Sequence, residues 1–255
     1  MTRVLSCVLM NKSDKIKKVI EEGYANIASS SGCCGSCDCN SNKTPQRQSG
    51  QFGYTDGEMR QVPSGSNLGL GCGNPIAVAS LKKGEMVLDL GSGAGFDAFL
   101  ASPKVGKLGK VIGVDMTDEM LKKANENAKK GKFSNVEFRK GDIENLPIES
   151  SSIDVIISNC VINLAPNKIN VFKEAYRVLR QGGRLMVSDV VLIKPLTEKL
   201  KNNKELLVGC ISGAILKKDY LALLKEVGFP NITIHKEKPA FLKDYGLSIT
   251  YSAIK

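Results

Sequence analysis

The sequence predicts a doubly wound α/β fold on a mostly parallel sheet, and three observations predict it. From Met86 onward, short apolar runs alternate with longer stretches of helical periodicity, the pattern left by right-handed crossovers that cover a parallel sheet on both faces. The first run leads into a glycine-rich turn, Gly91-Ser92-Gly93-Ala94-Gly95, that opens a helix. Two late apolar runs are joined by a short connection, so they can pair antiparallel at a sheet edge.

Ahead of the alternation, Ile16, Val19, Ile20 and Ile27 keep helical spacing with Ser13 or Asp14 as N-cap, which predicts a first helix over about 14 to 29. The following SSSGCCGSCDCNSNKTPQRQSGQ is rich in Ser, Gly and Asn without periodicity and reads as a loop bearing Cys33, Cys34, Cys37 and Cys39. Residues 1–50 therefore form a cysteine-bearing N-terminal extension, and the compact domain is expected over 51–255. Pro75 can begin a helix over 75 to 80. Strands are predicted at MVLDL, KVIGVD, VEFRKG, IDVIIS and RLMVSDV, separated by helices over 95 to 102, 118 to 131 and 168 to 180. Beyond Pro195 come helices over 198 to 209 and 217 to 227, then strands NITIHKE and LSITYSA. The stretch 196–255 is expected to supply substrate-site helices and edge strands. No internal repeat is visible.

With 255 residues, 42% of them apolar and 24% charged, the chain can bury one substantial core. No stretch approaches the roughly 20 apolar residues of a membrane span, and the opening MTRVLSCVLMNKSDK is too short an apolar run for a secretory signal. A cytoplasmic protein without membrane partners is expected. The formal charge of +10 raises nucleic acid as a partner. The lysines fall in scattered pairs such as Lys82-Lys83 and Lys129-Lys130, as on solvated helix faces, so no nucleic-acid partner is expected. Eight cysteines in a chain of this size argue against a disulfide scaffold and for soft thiolate chemistry.

The turn from Asp89 to Gly95 follows a strand and opens a helix, so its glycines allow close backbone approach to a ligand. Asp115 ends the next strand, where a carboxylate can accept hydrogen bonds from ribose hydroxyls. Phe96 stands where a dinucleotide turn carries its third glycine. Asp89 would repel a pyrophosphate but suits an ammonium. These residues resemble the class I methyltransferases over roughly 60 to 255. The resemblance implies a seven-stranded Rossmann-like sheet and S-adenosyl-L-methionine as cofactor. It implies that Asp89, Gly91, Ser92, Gly93 and Gly95 lie along the methionyl part, and that Asp115, with Met116 beside it, holds the ribose. Asp142 would approach the adenine amino group with Ile143 next to the ring, and Asn159 completes the expected set. Turn glycines and helix-capping aspartates without a ligand are the plainer alternative, and three such features in register weigh against it.

The fourth strand delivers Ser158-Asn159-Cys160-Val161 to the position that faces the transferable methyl in this architecture. Methyltransferases of DNA bases place a proline-rich, aromatic-containing stretch there, and this tetrapeptide has neither. Cys72 sits among glycines expected to leave its sulfur accessible, and Cys210 lies between the two C-terminal helices. Each alone reads as a small buried hydrophobe. Together GLGCGNP, SNCVINL and GCISGA resemble the arsenite methyltransferase family, and Tyr220, Gly228 and Phe229 continue that resemblance.

The resemblance implies that Cys72, Cys160 and Cys210 bind trivalent arsenic, supplied as a thiol complex, for stepwise methylation in arsenic detoxification. Soft thiolates favour such a centre, and three sulfurs leave it a lone pair that needs no general base. That agrees with a single histidine, His235, in a predicted edge strand and read as structural. One of Cys33, Cys34, Cys37 and Cys39 would exchange with Cys72, the resulting disulfide being opened by a thiol reductant, thioredoxin or glutathione. Cys34 and Cys37 alternatively form a CxxC that loads arsenic or binds zinc. The competing readings are methylation of another small acceptor (a thiol, a sterol-like lipid or a quinone), a non-catalytic cysteine-rich metal sensor, and a nucleic-acid methyltransferase. A monomer is expected.

Overall fold

A computed structural model describes residues 11–29 and 44–255 apart from 202, 241 and 243; Cys7, Cys33, Cys34, Cys37 and Cys39, and with them the redox and CxxC expectations, lie outside the described residues. Strands β1 (Met86–Leu90), β2 (Lys110–Asp115), β3 (Val136–Lys140), β4 (Ile153–Asn159), β5 (Leu179–Leu192), β6 (Asn231–Pro239) and β7 (Gly246–Ile254) form one sheet in the order β3-β2-β1-β4-β5-β7-β6. The first five are parallel, and β7 runs antiparallel to both β5 and β6. Helices α4 (Phe96–Val105), α5 (Asp118–Gly131), α6 (Lys168–Val178) and α9 (Lys217–Val227) connect and cover it.

Both faces of the central strands are buried, which is why they read as continuous apolar runs rather than alternating ones. Leu88 and Ile156 pack with Phe172, Tyr220 and Phe229 on one face, while Val87 and Ile157 pack with Ala98 and Leu100 on the other. Each such aliphatic side chain stabilises the fold by about 1.5–3 kcal/mol. Strand order reverses between β1 and β4, both of which pair in parallel with opposite neighbours, and a crevice beyond the carboxyl ends of strands at that point is where such sheets take ligands.

Several boundaries differ from expectation. Of the loop expected over 29–51, the described residues from Thr44 form α2 (Pro45–Phe52), capped by Thr44 and followed by α3 (Asp56–Gln61) under a Thr55–Glu58 capping box. The helix over 75 to 80 is one 3-10 turn, Pro75–Ala77, capped by Asn74. The helix over 168 to 180 stops at Val178, and β5 starts at once but shifts register against β4 near Gly182 (φ 76°). The helix over 198 to 209 is broken into α7 (Glu198–Lys201) and α8 (Lys204–Val208), because the Asn203 side chain accepts from the Leu206 N–H and starts a new helix. His235 lies on edge strand β6 with its Nε2 2.8 Å from Ser252 Oγ. Helix α1 (Lys12–Ser29) lies against α5 and α8. Lys123 Nζ donates to the Ala28 carbonyl at 3.0 Å. Among the described residues no helix is long and apolar enough to cross a membrane.

Candidate active site

A cavity of about 1100 Å³, measured out to its solvent mouth, opens beyond β1, β2 and β4 and is lined by Asp89, Gly91, Ser92, Gly93, Asp115, Met116, Asp142, Ile143, Asn159 and Cys160. Gly91 (φ 63°) and Gly93 (φ 51°) bend the turn through the left-handed region. Asp115 accepts the Gly93 and Thr117 N–H groups, each at 2.9 Å, so the end of β2 is tied to the turn after β1. Gly95 does not line the cavity. It caps α4 at φ 93°, and a Cβ there would lie 2.6 Å from the Phe99 ring and 2.7 Å from that of Phe138, so its smallness serves packing of helix on sheet.

Burial sets the electrostatics. The Asp89 carboxyl is pushed well above the usual carboxylate range by burial, then by the neighbouring Asp97 and Asp115, and its Oδ2 has no hydrogen-bond partner among the described residues. Burial raises Asp97 to about 6 against the opposing hydrogen bonds of Tyr54 and Asn159. Ser92 Oγ and Asn67 Nδ2 are also buried without a partner among the described residues, and Asn67 lines the same cavity. At the far end Lys17 of α1 donates to Asp142 at 2.6 Å and to Glu144 at 3.0 Å.

Three cysteines gather beside this cavity. The Sγ atoms of Cys72 and Cys160 and a carboxylate oxygen of Asp189 all lie within 4.8 Å of one another, and Cys210 Sγ donates to the Cys160 carbonyl at 2.6 Å. All three cysteines are unpaired and buried, and only Cys160 lines the cavity. Cys72 is thus not the accessible thiol its glycines suggest: it is 2% exposed. Its carbonyl accepts from Ser248 Oγ at 2.6 Å, and a Cβ on Gly73 would meet Ser188 and Thr250, so those glycines allow close approach of the loop to β5 and β7. Cys160 (φ 60°) and Cys210 (φ 62°) both adopt left-handed backbone, strain of about 1–3 kcal/mol each, of the kind that concentrates at functional sites.

Burial raises the Cys72 thiol. For Cys160 the hydrogen bond with Cys210 pulls the other way and is outweighed by that with Cys72 and by burial; for Cys210 the hydrogen bond with Cys160 and then burial push it up. The set rests as neutral thiols at neutral pH.

Sequence reasoning missed three buried polar residues here. Asp189 accepts from Asn163 Nδ2 at 2.8 Å and the Val190 N–H at 2.9 Å on Oδ1, and from the Tyr220 hydroxyl at 3.1 Å on Oδ2. Burial raises it to about 7. Its signal was a lone carboxylate inside the apolar run RLMVSDV. Tyr54 donates to Asp97 at 2.5 Å, and Asn159 Nδ2 lies 2.9 Å from the Tyr54 hydroxyl, 3.0 Å from Asp97 Oδ2 and 3.0 Å from the Gly73 carbonyl. Nothing in the local pattern marks Tyr54 or Asp97.

Residues 81–228 match the family model of a methyltransferase domain. The fold superposes on the crystal structure of an arsenic(III) S-adenosylmethionine methyltransferase from Chlamydomonas reinhardtii with a TM-score of 0.67 and 36% identity, covering 82% of this chain and 73% of that one. The chain belongs to the arsenite methyltransferase family. It is 46% identical over 243 residues to the arsenite methyltransferase of Halobacterium salinarum, covering 91% of this chain and 62% of the relative. With that of Mus musculus it shares 35% over 227 residues, covering 85% and 58%. The chain therefore spans about three fifths of the length of these curated relatives.

For an arsenite methyltransferase homologue, S-adenosylmethionine fits the cavity on the chemistry of its donors. Orphaned buried polar atoms of Asn67, Asp89 and Ser92 await partners, and the Asp89–Asp97 pair suits an ammonium while repelling a pyrophosphate.

Proposed function

We propose that the protein methylates trivalent arsenic, holding it through Cys72, Cys160 and Cys210. The observation that carries this reading is the position of Cys160, which lines the methyl-donor cavity while its sulfur clusters with Cys72 and it accepts the Cys210 thiol hydrogen bond.

Arsenic arrives as a thiol complex. Each new cysteine–arsenic bond displaces one thiol from that complex, and the proton leaving the cysteine goes to the departing thiolate, so loading needs no net ionisation of the buried thiols. Three sulfur ligands leave the arsenic lone pair as the nucleophile. S-Adenosylmethionine supplies, when bound, a methyl carbon on a positively charged sulfur. Asp89 and Asp97 hold the ammonium, Asp115 with Met116 the ribose, and Asp142 with Ile143 the adenine; Gly91, Ser92 and Gly93 shape the turn against the methionyl part. The chain contributes alignment and exclusion of water rather than acid–base catalysis.

In this reading residues 1–50 carry the redox cysteines, 51–255 form the methyltransferase domain, and the helices after 196 bring Cys210. The protein acts as a cytoplasmic monomer in arsenic detoxification, with thioredoxin or glutathione restoring the thiols after each oxidation. The test is Cys160→Ser assayed for methylated arsenicals with labelled S-adenosylmethionine. Product formation should fall by at least a hundredfold while S-adenosylhomocysteine affinity stays within about threefold; wild-type rates would defeat the mechanism.

A further inference from the structure

We propose that Cys72, Cys160 and Asp189, joined by Cys210, form a binding site for a divalent d10 cation of the zinc and cadmium class, and that occupation of this site shuts arsenic out. The inference goes beyond arsenic methylation, because it rests on a donor that three-coordinate arsenic does not need.

The ligand atoms of Cys72, Cys160 and Asp189 already lie within 4.8 Å of one another. Donors around a tetrahedral zinc-class ion with metal–sulfur distances of about 2.3 Å and metal–oxygen distances of about 2.0 Å sit roughly 3.5–4 Å apart, so little closure is required. Cys210, now hydrogen-bonded to the Cys160 carbonyl at 2.6 Å, supplies the fourth donor by turning its sulfur inward. Asp189 is oriented as a ligand carboxylate is: Oδ1 accepts two hydrogen bonds and Oδ2 one, leaving a lone pair on Oδ2. The partners that fix it, Asn163, Tyr220 and the Val190 N–H, form the outer shell that keeps a ligand rigid. Three thiolates and a carboxylate leave a net negative complex around a dication. Buried Lys168, whose Nζ donates to the carbonyls of Asn163 and Ala165 at 3.2 and 3.0 Å, brings a positive charge to that side. On binding, each thiol releases its proton to solvent as its sulfur–metal bond forms.

The two ligand classes part on coordination number. Trivalent arsenic is satisfied by three sulfurs and keeps its lone pair, whereas a divalent d10 ion takes four donors. Asp189 therefore matters far more to the dication.

The test uses the reduced 255-residue chain with Cys7, Cys33, Cys34, Cys37 and Cys39 changed to Ser, titrated with cadmium ion and followed by its thiolate-to-metal ultraviolet band, and separately with arsenite. One cadmium per chain is expected, displacing bound arsenite competitively. In Asp189→Asn, cadmium affinity should drop at least tenfold more than arsenite affinity. Asp189→Cys should restore cadmium binding with a band intensified by a fourth thiolate. Equal cadmium affinity in wild type and Asp189→Asn would overturn the proposal. So would loss of both ligands in Asp189→Asn with no recovery of cadmium in Asp189→Cys. If the parent chain binds cadmium but not arsenite, the arsenic reading fails, and with it the exclusion of arsenic, while the cation site itself stands.

Discussion

Asn159 accepts a hydrogen bond from the backbone N–H of Cys72 at 3.0 Å, so the end of β4 holds the loop that brings the first thiol to the second. The same side chain reaches Tyr54 and Asp97, which line the cavity where the methyl donor is proposed to bind. One amide thus joins the two halves of the site. Asp97 and Cys72 are thereby linked through Asn159 by two hydrogen bonds.

Tyr54→Phe should weaken that link without touching a thiol or a turn glycine. It removes the donor to Asp97 and an acceptor of Asn159, both buried, and the loss of a hydrogen bond in such a network costs about 1–3 kcal/mol. Calorimetric titration of arsenite with and without S-adenosylhomocysteine is the measurement. In the wild type the second ligand should tighten the first, and in Tyr54→Phe that enhancement should shrink by at least threefold. An undiminished enhancement would show that the network does not carry it.

The pH dependence follows from Asp97, raised to about 6 by burial, and Asp189, raised to about 7. Both lie above their ordinary value of 3.8, so the folded protein holds protons that the unfolded chain has released. Their contribution to stability is present below about pH 4 and is lost as pH rises through 6 and 7. Thermal unfolding of the ligand-free protein should show this decline between about pH 4 and 7 and level off above it, and Asp97→Asn should flatten its lower part. The ionised Asp97 is the form that takes an ammonium, so S-adenosylhomocysteine affinity should rise through about pH 6 and then level off.

Lys17 fastens α1 across the proposed adenine end of the cavity through Asp142 and Glu144. Burial works against its charge, but the two carboxylates prevail and raise its pKa. The lysine side chain is 23% exposed, so screening limits the pair's contribution and Lys17→Met should cost no more than about 1 kcal/mol of global stability. The local effect should be larger: hydrogen exchange across 12–29 should speed up several-fold, because α1 loses its anchor near one end while Tyr24 still donates to the Val208 carbonyl at 3.2 Å near the other. Unchanged exchange would show that packing alone holds the helix.

How much of this was legible in the chain depends on the range over which the physics acts. Strands β1, β2 and β4 were readable because burial on both faces makes each a nearly continuous apolar run, and β6 and β7 because a short connection favours antiparallel pairing. The helix start at Pro45 was written in Thr44-Pro45, and the capping box in Thr55 and Glu58, but neither carries apolar periodicity. Cys72 and Cys210 stood out through their glycine-rich settings, and Cys160 through its place at the end of the fourth strand. Asp189, by contrast, depends on Tyr220, 31 residues away, and Asn159 on Tyr54, 105 residues away. A buried carboxylate in a strand announces that partners exist, and only the packed fold says which they are.

Cys160 offers a way to separate what its sulfur does from what its backbone does. At φ 60° any side chain is strained, and glycine alone is relieved of that cost. At an ordinary buried position glycine is less stable than alanine by about 1 kcal/mol. Here Cys160→Gly should melt no lower than Cys160→Ala, with both variants losing arsenic methylation. Denaturant titration of the pair gives the comparison. If alanine proves the more stable by a full kcal/mol, the left-handed turn after β4 is imposed by neighbours such as the Ser188 carbonyl, which accepts the Cys160 N–H at 2.8 Å, at no cost that glycine can recover.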